Sequence, residues 1–282
     1  MKFLDVKTDF AFKKVFGSES SKPRLISFLN ALLFSNGHKI VDLTIEDPYN
    51  IPMLKGMKDT FVDVKAKLDD GSRVIIEMQV LFVDDFEKRI LYNAAKNYSA
   101  QLVKGENYTL LNPVIALTIT DFTMFPETER CITRFKVLEK DELIDYSDDI
   151  ELVFVELEKF NKALEECESI TDQWLYFLKN AGDMQMIPEQ VGSEIKEAFN
   201  VANEAGLTPE ELEAQHKRKD FIWMQKGAIK RADRVAREEG REEGRKEIAR
   251  KSLPILDDTT ISQITGMPIE QITNLRNETE KQ

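Results

Sequence analysis

The chain has 282 residues, a net charge of −12, 42% hydrophobic residues and 32% charged residues. This describes a globular protein with one large core and room for an appendage, and the acidic balance argues against a protein that simply coats nucleic acid. Two histidines, His38 and His216, and two cysteines, Cys131 and Cys167, are too scattered for a zinc site, a disulfide framework or a serine–histidine–acid triad.

In chain order, residues 8–35 predict two helices broken near Gly17-Ser18. Thr8 or Asp9 caps the first, whose apolar face is Phe12, Val15 and Phe16. The second starts near Pro23 and presents Leu25, Ile26, Phe28, Leu29, Leu32 and Leu33. Residues 40–47 alternate as a strand, and residues 59–80 predict a β-hairpin. A helix over 84–104 should pack Phe86, Ile90, Leu91, Ala94, Tyr98 and Leu102. Residues 112–120 hold a continuous apolar run, expected of a strand buried on both faces. Residues 133–138 and 151–157 read as two more strands, so residues 1–160 predict an α/β core.

Residues 161–215 turn helical, with Trp174, Leu175, Phe177 and Leu178 as a core patch and Pro188 opening a new helix. They are expected to pack on the core. Residues 216–252 predict a charged helical arm, in which thirteen Lys or Arg from His216 to Lys251 face seven Asp or Glu. Such a strip is compatible with DNA contact or with a plain solvated helix. Its repeat Arg237-Glu-Glu-Gly240-Arg241-Glu-Glu-Gly244-Arg245 places two glycines on one face. Each costs roughly 1 kcal/mol in a helix. They suit either a low-complexity linker or a self-association helix that makes a homo-oligomer. Residues 253–282 read as a helix-turn-helix-like hairpin or a plain helical one. There Thr260-Ile-Ser-Gln263 resembles a capping box, Gly266 ends a helix and Pro268 opens the next.

No apolar run approaches the roughly 20 residues of a membrane span. No GxxxxGK[ST] or GxGxxG loop is present. The expectation is a cytoplasmic protein with no membrane partner.

The hairpin is the most informative segment. A two-residue loop at Asp70-Gly71 would set a polar face against an apolar one. A three-residue loop, with Gly71 left-handed, pairs Val62 with Met78, Val64 with Ile76 and Ala66 with Val74. That register sets Asp63 opposite Glu77, with Cβ atoms roughly 5 Å apart. Facing carboxylates repel, and a divalent cation between them turns the repulsion into a ligand set. The bland alternative is two acids adjacent by chance on an exposed face. Gln79 lies beside Glu77 on that face, and Lys65 lies diagonal to Glu77.

Asp63, a strand, a turn and then Glu77-Met78-Gln79 resemble the PD-(D/E)xK nuclease core, with Gln79 in place of the usual lysine. Thr8-Asp9-Phe10-Ala11-Phe12-Lys13-Lys14-Val15-Phe16-Gly17, Arg89-Ile-Leu-Tyr92 and Val155-Glu156-Leu157-Glu158-Lys159-Phe160 resemble the Rpn family of recombination-promoting, transposase-like nucleases, over about residues 1–200.

The resemblance implies a restriction-endonuclease-like mixed sheet flanked by helices and a Mg²⁺-dependent DNA endonuclease, with Mn²⁺ or another divalent cation as a substitute. Asp63, Glu77 and the Met78 carbonyl would hold the metal, and Gln79 would orient the attacking water. Lys65 would supply the charge that Gln79 lacks. Asp9 matches an early acidic position that reaches the metal through water, or is only a helix cap. Arg89 would clamp the scissile phosphate, and Tyr92 follows it in the family pattern; either is otherwise an ordinary helix residue. The alternative function is a non-catalytic DNA- or protein-binding module that kept the nuclease fold.

Overall fold

The computed structural model describes residues 1–34, 40–50 and 60–279. Asp59, the expected start of the hairpin, and the last three residues of the C-terminal hairpin lie outside the described residues. The chain divides into two compact units, residues 1–222 and 223–282.

The first unit opens with α1 (Asp9–Phe16) and α2 (Lys22–Leu33). Thr8 is the cap of α1, its side chain accepting the Ala11 N–H, so Asp9 is left as an exposed first-turn acid. Next come β1 (Leu43–Glu46), β2 (Tyr49–Asn50), β3 (Thr60–Phe61), β4 (Val64–Leu68), β5 (Arg73–Gln79), α3 (Phe86–Ser99), β6 (Val114–Thr120), β7 (Ile132–Leu138) and β8 (Asp145–Glu156). The six-stranded mixed sheet runs β1-β4-β5-β6-β8-β7, with β5, β6 and β8 parallel and the other neighbours antiparallel. Every residue of β6 is buried, as its unbroken apolar run requires.

Each face of the sheet carries its own core. On one side Val64, Ala66, Val74, Ile76 and Met78 meet α1, α2, α4 (Ile170–Asn180) and α5 (Ser193–Val201). The aromatic chain Phe16–Phe28–Trp174–Phe177–Phe199 runs through that layer, with consecutive ring centroids 4.6 to 5.8 Å apart. On the other side Phe86, Ile90 and Ala94 of α3 cover Ile75, Ala116 and Phe154.

Two expectations for helix faces and starts are corrected. Leu91 is exposed, because Ile90 and Ala94 aim at the sheet and Leu91 is turned away from it. Pro188 does not open a helix; α5 starts only at Ser193. The Val155–Phe160 motif ends β8 in a structural clasp. Buried Glu156 accepts the Met124 and Phe125 N–H groups and pairs with Lys159.

The long helix α6 (Pro209–Ser252) runs through the boundary between the units. In the second unit Ala249 and Leu253 pack with Ile261 of α7 (Asp258–Thr265) and Ile272 of α8 (Ile269–Thr279). Gly266 ends α7 in the left-handed conformation, as expected. The cap of α7 is Asp257, which accepts the Thr260 N–H, and not Thr260 itself. Among the described residues no helix is long and apolar enough to cross a membrane.

Candidate active site

The hairpin pairs Val64 with Ile76 and Ala66 with Val74, and Gly71 takes φ +91°. The three-residue turn thus forms as its register demands. A Cβ at Gly71 would be strained at that φ and would also approach Asn112 Oδ1 to 2.6 Å.

The ladder stops at Val64. Leu68 and Ser72 are hydrogen-bonded, so the alternation would make Val64–Ile76 and then Val62–Met78 such pairs, but the Asp63 N–H donates to the Ile76 carbonyl at 2.9 Å and the Val62–Met78 pair does not form. Instead the chain bends at Asp63 and its carboxylate Oδ2 accepts the Met78 N–H at 2.8 Å. The side chain replaces a strand carbonyl. The arm before it is released to pair with β2, and Val62 joins the α3-side core with Ile75. The expected Val62–Met78 and Asp63–Glu77 cross-strand pairs are therefore corrected: the bend at Asp63 reverses which face Val62 presents and takes Asp63 out of the ladder, although its charge still acts on Glu77.

Glu77 and Gln79 follow Ile75 at every second position, on the α3 side of β5. Arg89, near the start of α3, reaches both: its Nη2 makes a close ion pair with Glu77 Oε1 and donates to Gln79 Oε1 at 3.0 Å. The Phe86 ring lies 4.8 Å below the guanidinium. Arg89 Nε is buried and has no hydrogen-bond partner among the described residues. The Gln79 amide is fixed at its other end by donating to the Leu81 carbonyl at 2.7 Å.

Asp63 and Glu77 are only 12% and 14% exposed at their side chains. Burial raises the pKa of Asp63, opposed by the Met78 N–H and by Lys13, whose Nζ lies 3.4 Å from Oδ1; the charge of Asp9 raises it further. Burial likewise raises Glu77; Arg89 opposes the rise and Asp63 adds to it. Asp9, Asp63 and Glu77 thus lie in one electrostatic neighbourhood, with Asp9 at its exposed edge beside Arg218 at 3.7 Å.

Lys65 goes elsewhere. It is diagonal to Glu77 in the ladder, but its ammonium lies 3.7 Å from Glu46, its cross-strand partner on β1. Tyr92 lies one turn past Arg89, partly exposed, on the wall of a cleft of about 660 Å³ that also reaches Glu77 and Asn93.

Two participants escaped the sequence reading. Lys13 is four residues after Asp9 on α1, and Asn93 is four after Arg89 on α3, so helical spacing from the named residues was the signal that could have found them. The Asn93 side chain is buried at 1% exposure, and neither amide atom has a hydrogen-bond partner among the described residues. It lies beside Glu77 and favours the ionised form of that carboxyl, against the rise from burial.

These residues suit a hard divalent cation. The donors are carboxylate oxygens that burial makes poor free anions, with an unpartnered amide beside them. Among the described residues no group of three or more His, Cys, Asp or Glu side chains could hold a metal. Two carboxylates with a backbone carbonyl, water and substrate oxygens make a set that Mg²⁺ accepts.

A family model described as PD-(D/E)XK nuclease family transposase matches residues 6–232. Searches of curated proteins and of solved structures returned no significant match. Nucleases of this superfamily generally use divalent metal ions. The match spans the whole sheet, the Asp63–Glu77 hairpin and the helices around them, and the chain belongs to the PD-(D/E)XK nuclease family transposases.

Proposed function

We propose that this chain hydrolyses DNA phosphodiester bonds with a divalent cation, Mg²⁺ foremost and Mn²⁺ as a substitute, held by Asp63 and Glu77 with the Met78 carbonyl. The observation that carries this reading is the pair of buried carboxylates at the end of β5, each made a poor free anion by burial and ringed by Arg89 and Lys13. When bound, the cation polarises a phosphoryl oxygen and lowers the pKa of the attacking water.

The protein groups then divide the work. Gln79, its amide fixed by Leu81 and Arg89, orients the water but supplies no charge. Arg89 provides the positive charge beside Gln79 that draws the scissile phosphate. Lys13, half-exposed beside Asp63, is the second cation at the mouth. Asp9 reaches the site through water, and Tyr92 lines the approach. Lys65, paired with Glu46, has the weakest claim among the residues named from the sequence. DNA is the partner. Gly240 and Gly244 of α6, where an added Cβ would meet no atom within 4 Å, leave a face for self-association into a homo-oligomer.

The Arg89–Glu77 contact also favours a second reading. A guanidinium that keeps the Glu77 oxygen would leave a DNA-binding module that does not cut. Manganese binding followed by electron paramagnetic resonance, run beside cleavage of a labelled oligonucleotide, separates the two. Manganese bound by the wild type, lost in Glu77→Gln and accompanied by cleavage, supports the enzyme. DNA retention with neither metal binding nor cleavage selects the module.

A further inference from the structure

The cleft beside the carboxylates has a composition that metal-dependent hydrolysis alone does not need. Its volume of about 660 Å³ lies within the range of roughly 300–1,000 Å³ for sites that enclose a small organic group. Thr60 and Phe61 form one wall, Arg89, Tyr92 and Asn93 another, and Glu77 lies at the catalytic end. Phe61 is 65% exposed, two residues before Asp63, although a Phe in a strand beside a core ordinarily buries its ring. It is held in that position. The Tyr49 ring packs beside it at 4.8 Å between centroids and 34° between planes, on the small β2–β3 ribbon that the bend at Asp63 creates.

The opposite wall adds polar recognition. The Asn93 amide presents one donor and one acceptor, both buried and both unpartnered among the described residues. Leaving both unmade is costly in the free protein, by the desolvation penalty of each. A planar ligand edge with an adjacent donor and acceptor would satisfy them together, as an amide does with a purine edge. Tyr92 supplies a second aromatic surface, one turn from Arg89.

We propose that the cleft receives a nucleobase turned out of its stack, against the Phe61 ring and within reach of the Asn93 amide, which brings the adjoining phosphate to Glu77, Asp63 and Arg89. The substrate class is then DNA with an unstacked nucleotide, meaning single-stranded, bulged or mismatched DNA rather than intact duplex. A base already unpaired avoids the cost of extrusion, which gives such DNA its advantage. The inference takes from the nuclease reading only what the carboxylates do; the cleft itself is argued from its own walls.

The test uses the full chain and three oligonucleotides of the same sequence: single-stranded, duplex with a one-base bulge, and intact duplex. Binding is measured by fluorescence anisotropy in Ca²⁺ and cleavage in Mg²⁺. A 5-iodouracil at the unpaired position is photocrosslinked and the adduct is mapped by mass spectrometry. We expect preference for the single-stranded and bulged forms in both assays, and a crosslink at Phe61 or Tyr92. Phe61→Leu should weaken binding of the bulged form by about tenfold or more, the scale of one lost base–aromatic stack. Phe61→Trp should restore it. Phe61 is exposed, so neither change threatens folding.

Intact duplex bound and cut as well as the bulged form, with the ratio unchanged in Phe61→Leu, overturns the inference and leaves the nuclease reading standing. Preference and crosslink without cleavage in any divalent cation uphold the cleft and remove the nuclease reading instead. Free mononucleotides that compete as well as oligonucleotides would make the ligand a nucleotide and overturn DNA as its source.

Discussion

The Asp63 carboxylate accepts the Met78 N–H at 2.8 Å, so one side chain both ends a strand pairing and anchors the candidate metal site. Asp63→Ala removes that acceptor and leaves a buried N–H unsatisfied, at a cost of about 1–3 kcal/mol. Asp63→Asn retains an acceptor and loses only the charge. Urea unfolding should therefore place Asp63→Ala well below the wild type and Asp63→Asn near it. Equal stability of the two variants would mean that the bend does not depend on this bond.

The raised carboxyl groups define a pH signature. Folded Asp63 and Glu77 bind protons more tightly than the unfolded chain, because burial raises both. Stability from these two groups is therefore highest at low pH, falls as pH rises from the ordinary carboxylate range of about 4 through the raised values, and is flat above them. Glu77→Gln removes one contribution. Its melting temperature relative to wild type should rise across that window and be equal or higher at neutral pH. The difference between the two curves is the readout, since carboxylates elsewhere, such as Asp258 beside Arg276, are held down and pull the opposite way. A relative melting temperature that falls with pH would contradict the assignment.

Divalent cations should act on the same pair from the other direction. A ligand that binds only the folded state raises its melting temperature with concentration. Mg²⁺ or Mn²⁺ should raise that of the wild type and leave Glu77→Gln unmoved, measured by scanning calorimetry at neutral pH. An equal rise in both proteins would put the ion elsewhere.

Arg89 and Lys65 can be separated by cleavage rate. Arg89→Ala removes the charge beside Gln79 and should slow cleavage by ~10²-fold, the scale of a lost transition-state donor. Lys65→Ala breaks a partly exposed pair with Glu46, costs about 0–1 kcal/mol of stability and should change the rate little. Single-turnover kinetics with both variants decide it. The reverse order would return the catalytic cation to Lys65.

The parts of this fold that were legible are those set by local periodicity. Alternation in residues 64–80 and the single glycine at 71 determine the hairpin register, and the β-branched, largely apolar run of β6 reads as a doubly covered strand. The aromatic layer was visible as helical faces in α1, α2 and α4. The bend at Asp63 was not, because period two carries no sign that a side chain will replace a backbone acceptor. Asn93 and Lys13 were legible only as the helical neighbours, four residues on, of Arg89 and Asp9. A polar residue within a helix acquires meaning only when the sheet beneath it is known. The Asp257 cap was missed because the reading began at Thr260, whose own N–H the Asp257 carboxylate accepts.

The most direct measurement of the central claim is nicking of a supercoiled plasmid by the purified chain, with Mg²⁺ and with EDTA, comparing wild type, Asp63→Asn and Glu77→Gln after each variant is shown to fold by circular dichroism. The account predicts cleavage by the wild type only with Mg²⁺, and a loss of at least ~10²-fold in both variants. Cleavage that persists in EDTA, or is undiminished in both variants, would contradict it.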